Sequence, residues 1–148
     1  MTLTSISLLS VDEYTTYKDL IKPISARWWL KSIEPHWRTF VYCVACNSKS
    51  EGFLTHFPHH RIEAVRPLCG FKTNSADKEF WVKDQSLVGR VFSFGGFDWT
   101  VLYVKDGTLY TLCDGVIGNY RFDETSNIWE TSELKFLLET KGLKQIQE

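Results

Sequence analysis

Apolar positions along the chain alternate between helical and strand spacing. Ser10-Val11-Asp12-Glu13 opens the first clear helix. The Ser10 side chain can accept from the N–H of Glu13 while Glu13 reaches back, which is a capping box. The helix is expected to run to about Leu20, with Tyr14 and Tyr17 at helical spacing. Lys22-Pro23 ends it, because proline disfavours helical geometry in the residue before it. Ahead of it, the apolar run 6–9 reads as a strand or as the helix entry.

Strand character follows. Residues 27–32 read as a mostly buried strand. A strand turns successive side chains to opposite faces. Trp28 and Trp29 therefore diverge, with one expected in the core and the other at the surface. Residues 39–46 are rich in β-branched and aromatic side chains and form the best strand of the first half. A polar turn over 47–52 leads to a return strand, 53–57, interrupted by Pro58-His59-His60. Residues 61–68 are a further strand, with Pro67 at its edge or end. The stretch 70–86 is linker-like, although Trp81 argues against full disorder. Strands 88–94 and 97–104 flank Gly95-Gly96. In the second, Trp99, Val101 and Tyr103 should share one face, and Thr100, Leu102 and Val104 the other. Lys105-Asp106-Gly107 marks a hairpin, since glycine supplies positive φ. A strand returns over 108–113, and Val116-Ile117 continue the sheet. Ser132 is the expected N-cap of a last helix over about 133–140. That helix should bury Leu134, Leu137 and Leu138, with Gly142 as its cap.

Two paired signatures stand out in this pattern. One is Trp28-Trp29-Leu30-Lys31-Ser32 with Val65-Arg66-Pro67. The other is Phe94-Gly95-Gly96-Phe97-Asp98-Trp99-Thr100-Val101-Leu102 with Trp129-Glu130-Thr131-Ser132-Glu133-Leu134. Together they resemble an uncharacterised bacterial domain family with a WWL[RK]S…VRP signature. In that family the second pair comes first, so the halves here are exchanged. Ile33 also stands where the family often has proline. The family is itself similar to C-type-lectin-like and formylglycine-generating-enzyme-like folds. The resemblance implies an α+β fold like a permuted C-type-lectin-like domain, with an antiparallel, loop-rich sheet and about two short helices. It also implies a single domain over 1–148. Two complementary halves, 1–72 and 88–148, would be joined by a 73–87 linker. The core could close within one chain, close by exchange of halves in a homodimer, or be divided between two reduced subdomains.

Composition narrows the function classes. The 148 residues suit one domain with a real core. A net charge of -1 gives no general case for nucleic-acid or membrane binding. The halves nevertheless differ. Residues 1–74 hold nine Lys/Arg and six Asp/Glu, and 75–148 hold eight and twelve. That is +3 against -4, compatible with halves that pack on each other. No run is long and apolar enough to span a membrane. The N-terminus lacks a basic, then apolar leader. With four cysteines, this suggests reduced thiols in a cytoplasm.

Candidate chemistry is sparse. Cys43-Val44-Ala45-Cys46 is a CxxC, and His56, His59 and His60 follow. A zinc site from Cys43, Cys46, His59 and His60 is one reading. Against it, a β-run sends the two cysteines to opposite faces. His59, His60 and Arg61 could contact an anion, or form a solvated turn. Arg66 reads either as a ligand contact or as a partly buried arginine that holds a strand end through a carboxylate or carbonyls, and the second is preferred. Trp37, Arg38 and Trp81 combine aromatic and charged character and suit a protein or sugar surface. No nucleophile motif, phosphate loop or metalloprotease motif occurs.

The sequence therefore predicts a non-catalytic protein-interaction module without cofactor. Its concrete form is a bacterial or bacteriophage cytoplasmic protein that binds and modulates a host protein, for example as a defence-system inhibitor. Its binding residues would come from Trp28, Trp29, Trp37, Arg38, His59, His60, Arg61 and Trp81. A carbohydrate or cell-wall module and a small zinc protein are the alternatives.

Overall fold

A computed structural model describes residues 1–36, 39–72 and 85–147. Trp37, Arg38 and Trp81 lie outside the described residues, as does most of the expected linker.

The fold is α+β, with ten strands in two five-stranded sheets and short helical segments among the described residues. The first segment holds β1 (Thr2–Ser7), then α1 (Val11–Tyr17) with a 3-10 turn over Lys18–Leu20. β2 (Trp28–Ile33), β3 (Phe40–Cys46), β4 (Gly52–Pro58), β5 (Ile62–Val65) and β6 (Leu68–Lys72) follow. After the undescribed stretch come β7 (Val91–Phe94), β8 (Phe97–Lys105), β9 (Thr108–Cys113) and β10 (Gly118–Arg121). A helical segment closes the chain, with α2 (Glu133–Leu137), a π turn over Leu138–Gly142 and α3 (Leu143–Gln147).

Both sheets draw strands from early and late in the chain. One runs β1-β6-β9-β8-β7 and the other β10-β5-β2-β3-β4. Every pairing is antiparallel except β2 with β5. β6 pairs with β9, and β5 with β10, so each sheet is sewn together by contacts distant in sequence. The break at Arg66-Pro67 moves the chain from one sheet to the other. Proline lacks the N–H a ladder needs, which explains why one long strand over 61–68 does not form.

The local signals behave as their chemistry dictates. The Ser10 capping box forms, with both reciprocal hydrogen bonds. Ser132 caps α2 by accepting from the Lys135 N–H at 3.1 Å. Asp106 (φ 50°) and Gly107 (φ 76°) make the β8–β9 hairpin. Gly95 (φ 61°) and Gly96 (φ 83°) make the β7–β8 hairpin. The backbone of Ile146 lies directly against Gly95, in space a Cβ would occupy.

Each sheet is covered on both faces. On one face Trp29, Val41, Cys43, Val65, Phe71, Trp99 and Val101 pack under Leu134, Leu138 and Ile146 of the C-terminal helical segment. On the other, Trp28, Leu30, Val44, Leu102 and Leu112 pack with Tyr14 of α1, Leu9 and Ile21.

Three expectations need correction. Trp28 (2 % exposed) and Trp29 (0 %) are both buried, because α1 covers one and the C-terminal segment the other. Tyr103 does not share a face with Trp99 and Val101. The register shifts between Val101 and Tyr103, so Leu102 is an extra residue opposite β9. Such a bulge puts Leu102 and Tyr103 on the α1 face and returns Val104 to the other. Finally, Gly142 does not cap the last helix. It is buried within it, against Leu138 and Ile6, and the helix continues to Gln147. Its missing side chain admits β1, and the π turn accommodates the close approach.

Candidate functional site

The binding residues proposed from sequence scatter. Trp28 and Trp29 are core. The Trp29 indole donates to the Tyr120 carbonyl at 2.9 Å and meets Phe122 edge-on. Neither ring is available to stack on a sugar or anchor a partner.

His59, His60 and Arg61 sit in the turn between β4 and β5 but do not act together. His59 is buried. Its carbonyl accepts from the N–H groups of Phe122 and Asp123, and its ring Nδ1 lies 2.8 Å from the Asp123 carbonyl. A carbonyl can only accept, so Nδ1 carries the proton. His59 thus clamps the 122–127 loop, with its ring turned to the Asp123 carbonyl. His60 is exposed. Arg61 faces Glu63 at 4.0 Å and lies 4.6 Å from the Phe57 ring centre. Arg27 approaches the same carboxylate at 3.3 Å and the same ring at 4.3 Å. The two guanidiniums therefore serve a buried glutamate and an aromatic face.

The cysteine–histidine reading also fails geometrically. Cys43 faces the C-terminal helical segment and is fully buried, whereas Cys46 lies on the α1 side at the end of β3. Burial, and then the nearby Glu63 charge, push the Cys43 thiol well above its ordinary range. Among the described residues no group of three His, Cys, Asp or Glu side chains could hold a metal ion.

Side chains with no obvious sequence signature form the more distinctive environments. Asp123 accepts from the backbone N–H groups of Thr125, Ser126 and Glu133, all at 2.9 Å. Burial opposes its charge, but those donors win and lower its pKa. Residues 123–127 thus form a loop closed around the Asp123 carboxylate. On the α1 face, Tyr17, Tyr103 and Tyr110 form a stack with ring centres 5.2 and 4.6 Å apart. Burial and the neighbouring Glu13 push the Tyr103 hydroxyl up. Only the Leu102 bulge brings Tyr103 to this stack.

Beside it lies a small pocket of about 50 Å³ under α1, lined by Tyr14, Lys18, Trp28, Cys46, Gly52 and Arg66 among others. Two hydrogen bonds to β2 hold the start of α1 in place. Val11 N–H donates to the Ser32 hydroxyl, and Lys31 N–H to the Leu9 carbonyl, both at 2.9 Å. Arg66 is 1 % exposed. Its Nε donates to the Cys113 carbonyl at 2.9 Å and its Nη2 to the Asp114 carbonyl at 3.2 Å. Its guanidinium carbon lies 4.8 Å from the Trp28 ring centre. Desolvation lowers its pKa to about 10, which leaves it cationic at neutral pH.

The surface carries one more feature. β4 ends its sheet, with β3 on one side and no strand on the other among the described residues. Along it Phe53 (47 % exposed) and Leu54 (38 %) project to opposite faces. Among the described residues no helix is long and apolar enough to cross a membrane. No family model, no curated protein and no solved structure matches the chain.

Proposed function

We propose that the chain is a non-catalytic protein-interaction module that binds an extended segment of its partner along the open edge of β4. The observation that carries this reading is the character of that edge. Proteins usually blunt edge strands with charge, proline, bulges or short length. β4 is seven residues long, pairs without a register shift and contains no Lys, Arg, Asp or Glu, and its one proline, Pro58, is its last residue and leaves the edge open from Gly52 to Phe57. Of the four edge strands, β1 has six residues, β7 and β10 four each. Neither β1 nor β10 carries an exposed large apolar side chain, and β7 has only Val91.

A partner strand added here would gain main-chain hydrogen bonds, and Phe53 and Leu54 would contact its side chains on either face. The proposed partner is a protein, in the concrete form of a host protein modulated by a bacterial or bacteriophage chain. Four free thiols suit a reducing, cytoplasmic setting.

The test is capture of partners from host lysate by the wild-type chain and by a Phe53→Lys/Leu54→Lys variant of matched thermal stability. The wild type should retain a protein at stoichiometric level, and the variant should bind it at least about tenfold more weakly. Absence of a stoichiometric partner, or equal retention by both chains, overturns the proposal.

A further inference from the structure

We propose that the pocket beneath α1 binds a small carboxylate, held by Nη1 of Arg66 and the hydroxyl of Tyr14. The starting point is incomplete pairing of a buried cation. The Nε and Nη2 of Arg66 are spent on two backbone carbonyls, and Nη1 has no partner among the described residues. Arg66 forms no ion pair with a carboxylate there. The neighbouring Asp114 carboxylate is instead engaged by the Thr100 hydroxyl. A buried guanidinium with an open N–H is costly unless something supplies an acceptor.

The pocket has the chemistry to bring that acceptor in. Its lining includes two cationic side chains, Arg66 and Lys18, and no Asp or Glu. Lys18 is exposed and can draw an anion in from solvent, whereas Arg66 is buried. Tyr14 lines the pocket as well. Its hydroxyl sits over Gly52, in space a Cβ there would fill, and its ionisation feels the charge of Arg66. Tyr14 keeps its proton, because burial raises its pKa, so it is a donor at neutral pH. Two donors of this kind match the two oxygens of a carboxylate.

Size selects within the anions. A volume near 50 Å³ is several times that needed for a single water, yet too small for a nucleotide or a sugar phosphate. A carboxylate at the end of a short chain fits it, with Trp28, Ile21 and Ile24 as apolar walls. Two sources present the same group: a free small acid such as acetate, and the C-terminal carboxylate of a peptide.

The side-chain Nε–H resonance of Arg66 and the indole N–H of Trp28 can be followed by NMR at constant ionic strength. Acetate, a short peptide with a free C-terminus and its amidated form are titrated in turn against chloride. Saturable shifts with acetate assign the pocket to free acids, and shifts with the free peptide alone assign it to chain ends. The amidated peptide should give none. Tyr14→Phe, which keeps the ring, should weaken binding about tenfold. Arg66→Lys, which keeps the charge but loses the planar fork, should weaken it as well. Absence of saturable shifts with either carboxylate up to tens of millimolar overturns the proposal. So does unchanged affinity in folded Tyr14→Phe, or an equal response to chloride, which would leave only water or an unselective ion in the pocket.

Discussion

The two faces of the same sheets are built on different principles. The face beneath the C-terminal helical segment is dry. Phe71 meets Phe92, Phe94 and Trp99 edge-on, and the Trp99 indole is satisfied by the Phe94 carbonyl at 3.0 Å. Its three cysteines, Cys43, Cys69 and Cys113, are fully buried. The face beneath α1 is also closed, but its closure contains polar groups: the Arg66 guanidinium, the Tyr14 hydroxyl, the tyrosine stack and the half-exposed Cys46. The difference shows where stability and chemistry can be separated in so small a protein. One face is mostly packing, and its buried polar groups, Glu63, His59 and Asp123, are paired, whereas the other holds a buried cation with an open N–H beside a pocket.

The strongest challenge to this comparison is removal of a large side chain from the dry face. Trp29→Ala should cost about 4 kcal/mol, through lost burial, a residual cavity and an unpaired Tyr120 carbonyl. Urea unfolding measures it. A loss below about 1 kcal/mol would mean that this face is loosely packed and that the contrast between the faces does not hold.

The thiols give the next largest effect, and they divide along the same line. Burial pushes all three thiols of the dry face up, that of Cys113 to about 11. Unfolded, they ionise near the ordinary value of 9. Above that pH the unfolded chain releases protons that the folded chain retains, so stability falls as pH rises from about 9 towards 11. Urea midpoints at pH 8 and pH 10 should therefore differ, with the lower value at pH 10. At pH 8 a thiol reagent should label Cys46 in the native protein, and all four cysteines only after unfolding. Labelling of Cys43 or Cys69 without unfolding would show that the dry face opens.

The smallest effect belongs to the α1 face. Ser10→Ala removes one half of the capping box and should cost about 1 kcal/mol. Amide exchange should quicken in α1 and not in α2. Equal quickening in both would join the two faces into one cooperative unit and remove the distinction.

Local chemistry made part of this molecule legible in the chain. The Ser10–Glu13 box, the Ser132 cap, the Asp106-Gly107 hairpin and the strands around Trp28, Val41 and Trp99 rest on interactions within a few residues, and each forms where its residues stand. The α+β class, which the family resemblance implied, is the class of the fold. The candidate sites were less legible. Trp28 and Trp29 diverge as strand alternation requires, but alternation does not say whether a face is covered. That was decided by α1 and by a C-terminal segment about a hundred residues away. The Leu102 bulge, invisible in the alternation of β8, carries Tyr103 across to its stack. His59 reads as a loop cation until the 122–127 loop folds over it. Arg66 is an arginine before a proline in sequence, and a buried cation with an open N–H only once Cys113, at the end of β9, and the following Asp114 supply two carbonyls and α1 a tyrosine. The sequence by itself determined the capped starts of α1 and α2, the hairpin turns and the strands around Trp28, Val41 and Trp99, because those choices depend on neighbours along the chain, whereas β6 and β10 form against strands distant in sequence. Only the tertiary structure decided which side chains lose water and which keep an unpaired donor, because desolvation depends on what arrives from elsewhere in the chain.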